Sequence, residues 1–383
     1  MPTVVISPFN VVNFPEGGGH FWVYMQYALA LRQLGCEVYW LEAFRSRGEE
    51  ASDQTLLDPF RARMEQFGLG GKLILYPMTG PNSESGMPRA FAGMSALEAE
   101  SIFQSADLLL NFHYAISPAL LGCFRRTALV DIDPGLLQFW ISRGQLRVPK
   151  HDLYFTTGET VGTPAARFPD CGLEWLHIRP PVCLEHWPNA FPRAEVFSTV
   201  SNWEADDWIV DAHETYENTK RVALLEFAEL PRLTPQPLEL ALYLRTEKDD
   251  LERRELEKRG WRVRPSREVA GAPEAYQAYL QQSRGEFSCA KPSYIKMQTA
   301  WVSDRTICYL ASGKPAVVQH TGPSSFLPDG EGLFRFSTLK EAAWAFEAIN
   351  QDYRKQSRTA RQIAETYFDA EQVVSSILSH ALG

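Results

Sequence analysis

The sequence lacks paired cysteines, long hydrophobic runs and an N-terminal export signal. Its six cysteines are scattered and form no CxxC pair, which argues against zinc modules and a disulfide scaffold. The longest apolar runs, Ala106–Asn111 and Ala128–Ile132, fall far short of the roughly 20 residues that span a bilayer. Met1–Pro8 has neither a basic region nor a small-residue cleavage site, so we expect a cytoplasmic protein without a transmembrane segment.

An excess of positive charge is also missing. The chain carries 38 basic and 47 acidic residues, a formal net charge of −9. Nucleic acid and anionic membranes normally require a basic face, so we expect neither as a partner. A local phosphate site remains open, because it needs only a few cations and backbone N–H groups.

What the sequence does contain is a repeated alternation of strand and helix. Thr3–Pro8 reads as a buried strand, His20–Leu34 as an amphipathic helix closed by Gly35, and Glu37–Glu42 as the next strand. The alternation resumes after a proline-rich segment, Arg179–Pro192, which we take as an interdomain linker. The 383 residues therefore suggest an α/β protein with two Rossmann-like domains facing across a cleft, residues 1–188 and 189–363.

The remaining predicted elements complete both halves. Strands are predicted at 72–76, 107–112, 128–133, 152–156, 197–200, 238–244, 261–265 and 315–319, and helices at 218–229, 248–259, 273–282, 338–349 and 358–367.

The loop Gly17-Gly18-Gly19 separates the first strand from the first helix. Glycines there let backbone N–H groups approach a ligand, and a helix N-terminus favours negative charge. The dinucleotide fingerprint G-x-G-x-x-G fails at its third glycine, where Trp22 stands. His20, at the first helical turn, can take a proton from an attacking hydroxyl. A structural histidine bonded to a neighbouring loop fits the local sequence equally well.

Glu16–His20, the helix after it and Gly35–Val38 together resemble the opening of GT-B glycosyltransferases. The glycine-glycine-histidine loop is particularly similar to that of the lipid II-forming N-acetylglucosaminyltransferase. The resemblance covers about forty residues and implies the GT-B fold with an acceptor-side first domain.

The segment Gly285–Gly332 contains most of the second domain's candidate residues. Ser303 can cap a helix that ends at Ser312, with Gly313 as its stop. Arg305 in its first turn, or Lys291 nearby, can neutralise a departing diphosphate. Asp304 suits a ribose or sugar hydroxyl, or the orientation of Arg305. Each of these charges alone can also be an ordinary solvated surface group.

Tyr309–Pro315 and the Thr321-Gly322 loop resemble the donor-binding region of GT-B glycosyltransferases. The resemblance implies donor contacts from Thr321 and Gly322, and from Ser201 and Asn202 after the domain's first strand. Of the paired glutamates of retaining members, Glu286 can stand for the first, but Cys308 occupies the second position. Asp304 lies one turn earlier on the same helical face. Asp304 can therefore substitute for the second glutamate, but the departure puts a retaining mechanism in doubt, and inversion is the leading expectation.

Candidate acceptor residues lie in the first domain. Asp131 and Asp133 end a predicted strand, and Asp133-Pro134-Gly135 has turn chemistry. We favour a turn or an acceptor contact at Asp133 over a metal site, because two carboxylates are few ligands. His113, after another strand, is a cleft candidate, with a hydrogen-bonded structural histidine as its alternative.

The last segment, Arg358–Leu382, resembles the terminal helices that cross back in this fold, so residues 364–383 are expected to pack on the first domain. The expected activity is transfer of a sugar from a nucleotide-diphosphate donor to a small-molecule or glycan acceptor, without metal or other cofactor. The alternatives are a sugar-nucleotide epimerase of the same fold and a non-catalytic sugar-nucleotide-binding protein. The sugar, the base, the acceptor, the choice between inversion and retention, and the oligomeric state are left open.

Overall fold

The computed structural model describes residues 1–78, 86–190, 194–203, 208–210 and 214–383. Two parallel sheets organise these residues into an N-terminal and a C-terminal lobe, and the predicted α/β class is confirmed. The first sheet has the order β3-β2-β1-β4-β5-β6-β7, with every pair parallel. Its strands are β1 (Thr3–Ser7), β2 (Glu37–Arg45), β3 (Leu73–Met78), β4 (Leu108–Asn111), β5 (Thr127–Asp131), β6 (Leu153–Thr156) and β7 (Trp175–His177). Helices α1 (Gly18–Gln33), α2 (Glu50–Gln66), α3 (Ala96–Ser105), α4 (Pro118–Leu121) and α5 (Leu136–Ser142) connect them.

The second sheet has the order β12-β11-β8-β13-β14-β15 and is also parallel throughout. Its strands are β8 (Phe197–Asn202), β11 (Leu238–Tyr243), β12 (Arg262–Pro265), β13 (Gly285–Ser288), β14 (Ala316–Gln319) and β15 (Leu333–Phe336), and β9 (Trp208–Val210) and β10 (Thr215–Glu217) form a separate antiparallel pair. The helices are α6 (Lys220–Glu226), α7 (Glu247–Lys258), α8 (Ser266–Ala270), α9 (Pro273–Gln282), α10 (Pro292–Met297), α11 (Asp304–Ala311), α12 (Leu339–Gln351), α13 (Tyr353–Tyr367) and α14 (Ala370–Leu382).

Burial on both faces explains the apolar strand sequences. Val4, Val5 and Ile6 of β1 and Leu108, Leu109 and Leu110 of β4 are all fully buried. A parallel sheet covered by helices on both faces requires such continuous apolar runs. When the strands of each sheet are numbered from one in chain order, both sheets have the order 3-2-1-4-5-6, and the first sheet adds a seventh strand. The strand order reverses beside the first strand of each lobe, and ligands of such sheets usually bind at this switch point.

The lobes make direct contact through α1. A Cβ at Gly18 would lie 2.5 Å from the carbonyl oxygens of Ala270 and Ala272, and one at Gly19 would lie 2.7 Å from the Tyr276 ring. Trp22 Nε1 donates to the Pro273 carbonyl at 3.0 Å. The glycines that we predicted as a ligand loop therefore also allow the backbone of one lobe to approach the other.

The chain returns to the N-terminal lobe at its end. Val182 N donates to Phe368 O at 2.8 Å, Ala370 N donates to Val182 O at 3.1 Å, and α14 packs against α1. We propose the domain limits 1–188 and 189–363, with 364–383 assigned to the first domain. Of the predicted linker, Phe191 and Pro192 lie outside the described residues. None of the helices described here combines the length and apolar character that crossing a bilayer requires.

Several element limits differ from the predictions. The helix predicted at 218–229 is the shorter α6, and α13 begins five residues before its predicted start at 358. Strands β13 and β15 were not predicted. Each has only four residues, and such short apolar runs give little periodic signal.

Candidate active site

A cavity of about 420 Å³ lies between the lobes at the two switch points, and we call it the cleft. Gly17, Gly18, Gly19, His20 and Asp133 line it from the N-terminal lobe; Ser201, Asn202, Lys291, Ser303, Asp304 and Arg305 line it from the C-terminal lobe. Most of the residues singled out in the sequence therefore lie around one space, although their segments are far apart in the chain.

His20 lines the cleft from the first turn of α1. Its Nε2 lies 2.7 Å from the Phe9 carbonyl oxygen. A carbonyl oxygen only accepts, so in the neutral ring Nε2 carries the proton and Nδ1 has the lone pair. Burial lowers the pKa of His20, and Asp304 and Asp133 act in the opposite direction. The imidazole is thus neutral near pH 7, with carboxylates placed to stabilise its protonated form.

Asp304 enters the cleft from the start of α11, which Ser303 caps as predicted by accepting from Arg305 N at 3.3 Å. Burial raises the pKa of Asp304, whereas Arg305 and Lys220 lower it. Cys308, one turn later, also lines the cleft, and Gln26 Nε2 lies 3.7 Å from its sulfur. Burial raises the pKa of Cys308, so a neutral thiol stands at this position.

Arg305 has a structural partner that the sequence did not reveal. Its Nε donates to Glu286 Oε1 at 2.8 Å, its Nη1 donates to Val200 O at 2.9 Å, and Glu286 is fully buried. A buried pair of this kind orients the guanidinium and is costly to break. Arg305 still borders the cleft, but part of its hydrogen-bonding capacity is used to connect α11 with β8 and β13.

Within the described part of the chain, two further basic side chains line the cleft, Lys220 and Lys291. Lys220 is the first residue of α6, and its Nζ lies 5.9 Å from the centre of the Trp301 ring. Burial, together with Arg305 and Lys291, lowers the pKa of Lys220 to about 7. Three clustered cations in a confined space favour a ligand with concentrated negative charge.

Thr321 and Gly322 do not line the cleft itself, and their donor contacts stay predictions. Thr321 lines a small neighbouring cavity that shares Trp301, Ser303 and Arg305 with the cleft. Thr321 Oγ1 donates to Trp301 O at 2.7 Å, and a Cβ at Gly322 would lie 2.6 Å from Gln298 O. Both residues support the 298–302 loop from behind, and Gln298 and Ala300 in that loop have left-handed backbones with φ of 55°. A resemblance in sequence could not separate a lining residue from one that supports the lining.

The two remaining acceptor candidates differ in position. Asp133 lies in the cleft, and its Oδ1 accepts from Tyr294 OH across the lobes at 2.8 Å. His113 lines a neighbouring cavity instead. Asp131 is fully buried and accepts from Gln138 Nε2 and Thr156 Oγ1, so its role is structural.

From the sequence, Lys220 is only a weak candidate for a phosphate contact, and Tyr294 and Trp301 are not candidates, yet all three line the cleft. The rings of Tyr294 and Trp301 stack at 4.3 Å with an interplanar angle of 5°, at the edge of the cleft. Lys220 is the first residue of a helix that follows Asn218-Thr219. This position at a helix start was the only local indication of a phosphate contact. The two aromatic residues had none, because their stacking depends on how the left-handed loop turns the chain.

Known structures share this architecture over the whole chain. One is an alpha-glucosyltransferase in complex with UDP, at 10% identity, a TM-score of 0.60 and 100% of both chains. A variant of S. aureus TarM in complex with fondaparinux, alpha-GlcNAc-glycerol and UDP has the same identity, TM-score and coverage. A third is AviGT4, a glycosyltransferase involved in avilamycin A biosynthesis, at 13% identity and a TM-score of 0.56. The match covers 100% of this chain and 97% of AviGT4. No family model and no curated protein sequence matches the chain.

Similarity at these identities establishes the fold. The chain has the GT-B fold, an α/β architecture of two Rossmann-like lobes that face each other across the cleft.

Proposed function

We propose that this protein is a glycosyltransferase that uses a nucleotide-diphosphate sugar. The observation that carries the proposal is the cleft itself, which is lined by His20 from one lobe and by Lys220, Lys291 and Arg305 from the other. Transfer chemistry needs both features: a base for the attacking hydroxyl and positive charge for the departing diphosphate. UDP is the nucleotide to test first, since two of the similar structures were solved with it.

The proposed reaction is a single displacement with inversion. The acceptor O–H bond breaks and its proton passes to His20 Nδ1, while the acceptor oxygen forms a bond with the anomeric carbon of the sugar. The bond from that carbon to the diphosphate oxygen breaks, and the nucleoside diphosphate leaves with the electron pair. Asp304 and Asp133 stabilise the imidazolium, because both carboxylates raise the pKa of His20.

Lys220, Lys291 and Arg305 stabilise the leaving diphosphate in this proposal. They supply the positive charge that a divalent metal supplies in other transferases, so we propose a metal-independent reaction. Three polar residues of the same lobe also line the cleft, Ser201, Asn202 and Ser303. In this proposal they donate hydrogen bonds to the diphosphate oxygens. The neutral thiol of Cys308 cannot act as a carboxylate, which agrees with inversion.

A nucleotide-sugar panel followed by a His20 variant tests this function. One nucleotide sugar should raise the melting temperature, because a ligand that binds the folded state stabilises it by mass action. With that donor, His20→Ala should lower the transfer rate by roughly 10²- to 10⁴-fold while UDP affinity stays within about twofold.

His380→Ala is the matched control, because His380 is exposed on α14 outside the cleft. Normal transfer by His20→Ala would overturn the base assignment.

Conversion of the donor in the absence of any acceptor would contradict the transferase and identify an epimerase. Retained activity in EDTA is expected, and its loss would contradict the metal-independent mechanism. Retention of the anomeric configuration in the product would contradict inversion.

A further inference from the structure

A second cavity, of about 470 Å³, opens beside the cleft, and the described residues that line it all belong to the N-terminal lobe. We call it the side pocket. It shares Phe9, Tyr24, Ile132 and Asp133 with the cleft. Its remaining walls are mainly apolar or aromatic and include Phe112, Tyr114, Trp140 and Leu146. A ligand can therefore occupy the side pocket and the acceptor half of the cleft at the same time.

His113 is the polar feature of this pocket that lacks an internal explanation. Only 8% of the residue is exposed, and its Nε2 has no hydrogen-bond partner among the described residues. Its backbone is held by Asn111, whose Oδ1 accepts from His113 N and whose Nδ2 donates to His113 O, both at 3.0 Å. A buried polar atom without a hydrogen-bond partner lowers the stability of the folded state. Because the backbone of His113 is held in place, a ligand that bonds to Nε2 would remove this cost.

Phe9 connects His113 with the proposed base. Its ring lies 5.0 Å from the His113 ring, and its carbonyl accepts from His20 Nε2 at 2.7 Å. Asp133 borders both cavities and is held by Tyr294 of the other lobe. A compound whose body contacts Phe9 in the side pocket is thus adjacent to the group that would deprotonate it.

The chemistry of the walls limits what can fill the pocket. Apolar and aromatic surfaces bind ring systems well, but each buried hydroxyl or charge needs a partner. Tyr114 OH is already used, since it accepts from Ile132 N at 3.1 Å and Asp133 N at 3.3 Å. Besides His113, the polar side chains in the lining include Gln145 and Asp133, so a flat ring with one or two polar substituents matches these walls better than a polyhydroxylated sugar.

We propose that the side pocket binds the apolar ring system of the acceptor, a hydroxylated aromatic compound whose polar substituent bonds to His113 Nε2. This inference rests on the proposed function, because it places the attacked hydroxyl at His20 in the cleft. Burial lowers the pKa of His113 to about 4, so the ring stays neutral at physiological pH and presents a hydrogen-bonding group without charge.

The test compares 7-hydroxy-4-methylcoumarin and 2-naphthol with glucose and glycerol as acceptors. The aromatic probes should bind, as measured by fluorescence with and without UDP, and should accept sugar at least about tenfold more efficiently than the polyols. Leu146→Trp, which fills the pocket from a half-buried position, should weaken probe binding about tenfold or more. His113→Phe removes the ring nitrogen and should weaken it by a few-fold.

Leu251→Trp is the matched control, since Leu251 is 60% exposed on α7 of the other lobe, and it should change neither probe nor UDP binding. Both pocket variants should keep UDP affinity within about twofold, which shows that they fold. Efficient transfer to glucose or glycerol with no binding of either probe would overturn this inference while the transferase stands. Probe binding that Leu146→Trp leaves unchanged would overturn it as well. Failure of every nucleotide sugar to bind would instead overturn the proposed function and, with it, the acceptor role of the pocket.

Discussion

The two lobes have the same strand order but different chemistry where they meet. The C-terminal lobe brings Lys220, Lys291 and Arg305 to the cleft. The N-terminal lobe brings neutral imidazoles, Asp133 and aromatic rings such as Phe9. Phe9, Asp133 and Lys291 follow parallel strands at their carboxyl ends, where this topology leaves a crevice, whereas Lys220 and Arg305 lie in the first turns of helices α6 and α11. The fold therefore determines the place of each site, and the side chains at these strand ends and helix starts determine which half of a reaction it can serve.

The largest expected effect concerns the anchor of the cationic lobe. Glu286→Gln should lower the free energy of unfolding by about 3 kcal/mol, because it leaves the buried Arg305 charge uncompensated. Urea denaturation measures this change. Glu331→Gln breaks the half-exposed pair with Lys355 Nζ, 2.6 Å long, and should cost less than about 1 kcal/mol. Equal effects of the two substitutions would show that the buried pair has no special role.

A smaller effect distinguishes the ligands of the two lobes. Lys220→Ala should weaken UDP binding roughly 10- to 150-fold, the change expected when one charge-assisted contact is lost. Calorimetric titration gives the affinity, and Lys340→Ala, at an exposed position on α12, should leave it unchanged. Binding of 7-hydroxy-4-methylcoumarin should be unaffected by either substitution. If Lys220→Ala weakened the binding of both UDP and the coumarin, the two lobes would not bind their ligands independently.

The smallest effect is the pH dependence of nucleotide binding. Lys220 has a pKa lowered to about 7, so its charge disappears as the pH rises above that value. The diphosphate binds the charged form, and affinity for UDP should therefore fall above pH 7, by at most about tenfold per pH unit. The terminal phosphate of UDP, with a pKa near 6, is already ionised in this range.

Lys220→Arg supplies the comparison for this profile, because arginine remains charged throughout. Its UDP affinity should be nearly constant between pH 7 and 9. A wild-type profile as flat as that of Lys220→Arg would show that Lys220 does not titrate in this range or does not contact the diphosphate.

Local patterns were sufficient to predict most elements and several of the residues that line the cleft. Helix α9 was predicted with its observed limits, and Ser303 was recognised as a cap, because caps, glycine stops and apolar periodicity are local signals. His20 was predicted as a cleft residue from its position between a glycine loop and a helix, and it does line the cleft. Its tautomer was not, since that depends on the carbonyl of Phe9, eleven residues away.

The sequence by itself determined that this chain is an α/β protein of two parallel-sheet lobes, since the alternation of buried strands and amphipathic helices is written in short segments. It also identified the polar residues that end those strands. Only the tertiary structure decided that Arg305 pairs with Glu286, that Thr321 supports a loop instead of lining the cleft, and that His113 faces an apolar pocket. Each of these outcomes depends on contacts between segments far apart in the chain, and such contacts arise only when both lobes are folded and packed together.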